Sequence, residues 1–195
     1  MSKSKAGVFC LLFALGVTFA HLWSQRNVDL KIASTTFRVP NPAIISASSL
    51  RATSGALDNT QGAFLEISNG PYFGKWGVLL QSSAERRANG FPSPFDTAIA
   101  EGTVETALQL TSFGWYRCME LCGRDVWYFS RKPTRDDSTY SVGSIVCNET
   151  EICHLFFSYR DVDVQISLQQ RQIENAPANL KQAAELIASL VVTRK

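Results

Sequence analysis

"VDVQISLQQ", residues 162–170, alternates apolar and polar side chains without a break from Val162 to Gln169. Successive side chains of an extended chain point to opposite faces. Val162, Val164, Ile166 and Leu168 therefore share one side, and Asp163, Gln165, Ser167 and Gln169 the other. This alternation predicts an antiparallel strand with its apolar face on a core and its polar face in water.

Moving toward the N-terminus, the same reading continues. "CHLFFSY" (153–159) and "SVGSIVC" (141–147) flank the mostly polar pentapeptide "NETEI". "VWYFSRK" (126–132) and "WYRCMELC" (115–122) flank Gly123-Arg124-Asp125, a three-residue hairpin loop in which Gly supplies a positive φ. In "TVETALQLT" (103–111), Val104, Thr106, Leu108 and Leu110 share the apolar face. "AFLEIS" (63–68) and "KWGVLLQSS" (75–83) are two more strands, joined by the turn signal of "NGPYFG". "AERRANGFPSPFD" (84–96), polar and Pro-containing, reads as the longest irregular stretch, and "KPTRDDSTY" (132–140) as a connection whose Asp136 and Asp137 are simply solvated. Residues 27–62 read as an irregular leader with short strands, from "VDLKIAS", "TTFRVP" and "AIISA".

Toward the C-terminus the period changes. In "NLKQAAELIASLVV" (179–192), Leu180, Ala183, Ala184, Ile187, Leu190 and Val191 form one helical stripe. Asn175 and Pro177 are its start signals, and Arg194 and Lys195 suit the negative end of its dipole. The expected fold is α+β: an antiparallel meander of about five to eight strands packed on this C-terminal helix, preceded by an N-terminal apolar helix. The expected organisation is an N-terminal segment over residues 1–26, the leader over 27–62, and an extracytoplasmic domain over 63–195.

The first segment sets the compartment. Lys3 and Lys5 precede a run from Ala6 to Gln25 without formal charge. As a helix this run would span about 30 Å, one hydrocarbon thickness. It is either a membrane anchor or a signal peptide cleaved near Ala20, where Thr18-Phe19-Ala20 resembles a small-x-small site. His21, Leu22 and Trp23 suit the headgroup region and lean toward an anchor. The remainder of the chain then lies outside the cytoplasm, at an inner or plasma membrane, or is secreted or periplasmic. Setting aside Lys3, Lys5 and Arg26, the nineteen basic residues fall to sixteen against seventeen acidic ones. No cationic field is left for a phosphate backbone, which argues against nucleic acid as a partner.

An oxidising compartment gives the cysteines their meaning. Cys118, Cys122, Cys147 and Cys153 follow the apolar run, an even number that predicts two disulfides. Cys147 and Cys153 stand at facing ends of adjacent strands, within bonding reach. Cys118 and Cys122 are assigned to each other only as the remaining pair. In a single strand they would be about 13 Å apart, so Met119-Glu120-Leu121 would have to turn. A zinc site built from these thiols and His154 is the alternative, disfavoured by oxidation and by the loose Cys-x5-Cys spacing. Asn148-Glu149-Thr150 is a glycosylation sequon, with Asn148 the acceptor if the host modifies exported chains.

No phosphate loop, nucleotide fingerprint, HExxH or Gly-x-Ser-x-Gly motif occurs, and no cofactor is implied. A hydrolase would have to use His154 with Asp161 or Asp163. By alternation, however, His154 shares a solvated face with Phe156 and Ser158. A small apolar ligand, carried in a cavity between helix and sheet, is a third possibility. The reading favoured by elimination is a non-enzymatic domain that binds another protein. Its candidate contact surface is Arg86, Arg87, Phe91 and Phe95 of the irregular loop, with Tyr116 and Trp127 on the open face of the sheet.

Overall fold

The computed structural model describes residues 27–40, 43–48, 52–53, 56–57, 62–70, 74–89, 96, 99–100, 108–118, 126–147 and 151–193. The apolar run 6–25, the Gly123-Arg124-Asp125 loop, Cys122, Asn148, Phe91 and Phe95 lie outside these residues. Among the described residues no helix is long and apolar enough to cross a membrane.

The chain opens with β1 (Asn27–Ile32) and β2 (Thr35–Pro40), an antiparallel hairpin. Then come β3 (Ile44–Ser48), the two-residue β4 (Ala52–Thr53) and β5 (Ala56–Leu57), β6 (Gly62–Gly70) and β7 (Gly74–Ser82). Helix α1 (Ser83–Asn89) precedes β8 (Leu108–Leu110), β9 (Tyr116–Cys118) and β10 (Val126–Phe129). Helix α2 (Thr139–Val142), β11 (Ser144–Cys147), β12 (Ile152–Tyr159) and β13 (Val162–Gln169) follow. A 3-10 turn at Gln170–Asn175 leads into helix α3 (Ala176–Leu190).

Two sheets result. A small one runs β2-β1-β5-β4, and a large antiparallel one runs β3-β6-β7-β13-β12-β11-β10-β9-β8. Strands β8 to β13 form a continuous meander, and the β6–β7 hairpin joins it by pairing β7 with β13. The α+β class and the antiparallel sheet with its C-terminal helix are as the periodicity predicts.

The principal core lies between the large sheet, the β1–β2 hairpin and α3. Val162, Val164, Ile166 and Leu168 of β13 are buried there with Leu65, Val78, Leu80, Ile145 and Leu155. From the hairpin come Leu30, Ile32, Phe37 and Val39, and from α3 come Ala176, Ala183 and Ile187. The leader thus carries more structure than its composition suggests, with alternation burying Leu30 and Ile32 in β1 and Thr35, Phe37 and Val39 in β2. The C-terminal end of α3 is fastened to this hairpin: the Val192 amide donates to the Thr36 carbonyl at 2.8 Å, beside a Phe37–Val191 bridge.

Four expectations need correction. The stretch 84–96 is not irregular at its start, since α1 covers Ser83–Asn89. Its Ala, Glu and Arg are good helix formers, and Pro92 and Pro94 come only later. "SVGSIVC" is not one strand, because Ser141 and Val142 end α2, and Gly143 at φ 70° turns the chain into β11. Leu110, which alternation puts on the apolar face of its strand, is 64% exposed, because β8 is the sheet's edge and Leu110 lies beyond the small cluster that shelters Leu108. The polar face of β13 is not open to water throughout: Asp163 is 2% exposed.

The Cys147–Cys153 disulfide is present, joining directly paired residues of β11 and β12 at a Cα separation of 4.1 Å. Cys118 is also disulfide-bonded. Replacing Cys147 and Cys153 by Ser should lower unfolding stability by about 2 kcal/mol, the closure entropy of so short a loop. Urea denaturation without reductant measures it, and an unchanged midpoint would show that the bond adds nothing to the hairpin.

An arginine-flanked cleft on the second sheet face

The register places Asp163 opposite Ser158 of β12 and Gln81 of β7, on the sheet face away from the principal core. An isolated carboxylate so deeply buried would be costly, so it must be paired and hydrogen-bonded. Ser83 Oγ donates to it at 2.7 Å, Ser158 Oγ at 2.9 Å, and Arg86 Nε completes a buried ion pair. Ser83 and Arg86 both come from α1, and the Ser83 amide donates to the Asp161 carbonyl at 3.0 Å. The helix is therefore held onto the sheet by polar contacts.

Arg86 also stacks on Tyr140 of α2, its guanidinium carbon 4.2 Å from the ring centre. Tyr140 meets Phe156 edge-on at 5.3 Å, Phe156 stacks on Trp127 at 6.3 Å, and Trp127 on Phe129 at 6.4 Å. Burial pushes the Tyr140 hydroxyl up to about 12, with Arg86 opposing the shift. One row of aromatics thus runs from the cleft across the second face to a small cluster of Ile99, Cys118, Phe129 and Val142.

Asp161 sits in the β12–β13 turn and reaches the β1–β2 turn instead. It accepts from the Ser34 amide at 2.6 Å and Thr35 Oγ1 at 2.7 Å. Burial pushes its carboxyl up, but these hydrogen bonds outweigh that and hold it below the usual value. Asp137 is not merely solvated either. It receives both Arg131 amino groups, at 2.6 and 2.7 Å, and the Thr134 amide at 2.7 Å. The Arg131 bonds foremost, helped by Thr134 against burial, hold its carboxyl well below the normal range.

The result is a cleft of about 470 Å³, lined by Ala33, Arg86, Arg87, Ser138, Arg160 and Asp161 among others. Four segments distant in sequence build it: the β1–β2 turn, α1, the start of α2 and the β12–β13 turn.

Of the residues singled out from sequence, Arg86 and Arg87 lie in this cleft, while Tyr116 and Trp127 belong to the aromatic end of the same face. The His154–aspartate arrangement is not assembled. His154 Nδ1 accepts from Gln165 Nε2 at 3.2 Å, and both aspartates are bonded elsewhere. Burial lowers the His154 pKa and favours its neutral form. Among the described residues no group of His, Cys, Asp and Glu is arranged to hold a metal. Where a carrier's cavity was expected, between α3 and the sheet, the side chains of Ala183 and Ile187 are fully buried in the core. Sequence reasoning missed Ser83, Ser158, Tyr140 and Arg160. Alternation alone assigned Ser158 and Asp163 to one face, and the missing signal was the helix above them.

Asp163→Ala should cost about 3–5 kcal/mol, the range for breaking a buried pair, whereas Asp163→Leu with Arg86→Met should recover most of the loss. Denaturant unfolding of the variants checks this, and equal costs for the two would contradict a charge-driven penalty. The Asp137 carboxylate stabilises the fold fully above its unfolded-chain value of 3.8, and that contribution is lost as pH falls through its lower folded-state value. Stability should therefore decline below about pH 4, and Asp137→Asn should flatten the decline.

No family model matches the chain, and no curated protein matches its sequence. Among solved structures the fold is similar to that of an immunity protein of the Stenotrophomonas maltophilia type IV secretion system. The TM-score is 0.50 at 12% identity, over 87% of this chain and 94% of the other. At that identity the likeness is one of fold.

Proposed function

We propose that the chain is a non-enzymatic, extracytoplasmic protein-binding domain of the immunity type, which neutralises a toxic protein by occupying its surface. The observation that carries this reading is the fold shared with a secretion-system immunity protein along almost the whole of both chains. The oxidised Cys147–Cys153 pair supports a periplasmic or extracellular site of action. So does the apolar run before residue 26, acting as anchor or signal peptide. Tight binding needs a rigid surface carrying a few aromatic and arginine anchors. The second sheet face, with Arg86, Arg87, Tyr116, Tyr140 and Trp127, is our candidate.

In the native host, cells lacking the chain should lose to otherwise identical siblings when grown in contact. A full-length copy should restore survival, and one without residues 1–26 should not. Equal survival of the deletion strain would remove the immunity reading. His154→Ala should protect as well as the unaltered chain. Loss of protection by that variant with its fold intact would return the hydrolase reading to first place.

A further inference from the structure

The cleft combines two kinds of charge. Asp163 and Arg86 neutralise each other beneath its surface, with Ser83 and Ser158 completing the carboxylate's hydrogen bonds. Asp161 is occupied by the Ser34 amide and the Thr35 hydroxyl. Arg87 and Arg160 differ. Both are exposed, and among the described residues neither forms an ion pair with a carboxylate. Arg87 uses Nε to donate to the Ser83 carbonyl at 3.1 Å, which fixes its stem and leaves the terminal amino groups to solvent. Arg160 takes φ 58°, a left-handed conformation that costs a non-glycine residue energy, and its guanidinium lies 5.6 Å from the Tyr159 ring centre. Two cations therefore flank one cleft, carried by a helix and a tight turn that are themselves bonded together through Ser83 and Asp161.

Next to this charged opening stands the aromatic row. Arg86 links them, because its guanidinium meets both Asp163 and the Tyr140 ring, and Tyr140 leads to the half-buried Phe156. The cleft's own lining carries no ring, and the aromatic row begins just past it, where Arg86 covers Tyr140. Asp161 in the lining sets a limit on the ligand's charge. Two exposed arginines against it leave a small positive excess, which one entering carboxylate neutralises. Arginine forks suit carboxylates in two-bonded geometry.

We infer that this cleft is the docking site for an acidic segment of the partner protein, a Glu or Asp carboxylate entering between Arg87 and Arg160 with an apolar neighbour against Tyr140 and Phe156. The inference rests on the protein-binding reading above and adds the surface and the chemistry that it recognises. It also predicts electrostatic steering, so that association slows as salt is raised.

The probe is an acetylated peptide of repeated Glu-Phe-Gly, titrated into the isotopically labelled chain, with the Gln-Phe-Gly peptide as its neutral counterpart. The acidic peptide should shift amide signals of residues 83–87 and 158–161, and the neutral one should not. Arg87→Glu with Arg160→Glu should weaken binding by about tenfold or more. The same charge change at exposed Arg171 and Lys181, which lie outside the cleft, should leave it unaltered. Arg87→Lys with Arg160→Lys keeps the charge but loses the fork, and should retain part of the affinity. This pair also answers the possibility that the reversed variant fails to fold. The proposal falls if the peptide shifts signals elsewhere, if the reversed and control variants bind alike, or if inorganic phosphate or phosphatidylglycerol vesicles perturb these residues more strongly than the peptide. The protection assay separates the two readings. Protection that survives the Arg87/Arg160 reversal overturns the docking site and leaves the immunity function, while no protection by the unaltered chain overturns that function.

Discussion

A charge buried on the second face of the large sheet organises much of what surrounds it. Asp163 occupies the strand that joins the β6–β7 hairpin to the meander, where its backbone is paired on both sides. Its carboxylate cannot reach bulk water, so partners must be brought to it. β12 supplies Ser158, and α1 supplies Ser83 and Arg86 from the chain that leaves β7. The position of α1 is thus fixed by a requirement for hydrogen bonds more than by apolar area. Once Arg86 is there, it holds Tyr140 of α2, and α2 begins with its own capping box between Ser138 and Ser141. Asp161, two residues before the buried charge, draws in the β1–β2 turn through Ser34 and Thr35. The walls of the cleft follow from satisfying two carboxylates.

This arrangement marks the limit of what the linear pattern shows. Val162, Val164, Ile166 and Leu168 of "VDVQISLQQ" lie in the core as alternation requires, because alternation reports which side chains share a face. It does not report what lies over the other face, and Asp163 is buried for a reason held 80 residues away, in Ser83. The covering helix is hidden in the sequence because six of its seven residues share the stretch 84–96 with Pro92 and Pro94, and Ser83 continues the pattern of the preceding strand. Pairing between β7 and β13 was equally out of reach, since a period identifies strands but not their neighbours. The Cys147–Cys153 bond was legible because the intervening loop is short enough to bring the two residues opposite each other.

The same logic bears on function. His154, Asp161 and Asp163 are close in sequence and rich in chemical potential, yet the fold commits each to a separate neighbour: Gln165, the Ser34–Thr35 turn, and the Ser83–Arg86 helix. Carboxylates engaged in this way act as structural fasteners. What they leave outward are the cations of Arg87 and Arg160, each on an element that a buried or half-buried aspartate anchors. A flexible surface arginine loses rotamer freedom when it binds, and that loss consumes much of an ion pair's gain. Arg87 has its Nε already bonded, and the Arg160 guanidinium already lies near the Tyr159 ring, so less freedom remains to be lost. A domain that recognises a partner by charge benefits from this division, in which inner charges are spent on rigidity and outer ones are held ready for contact.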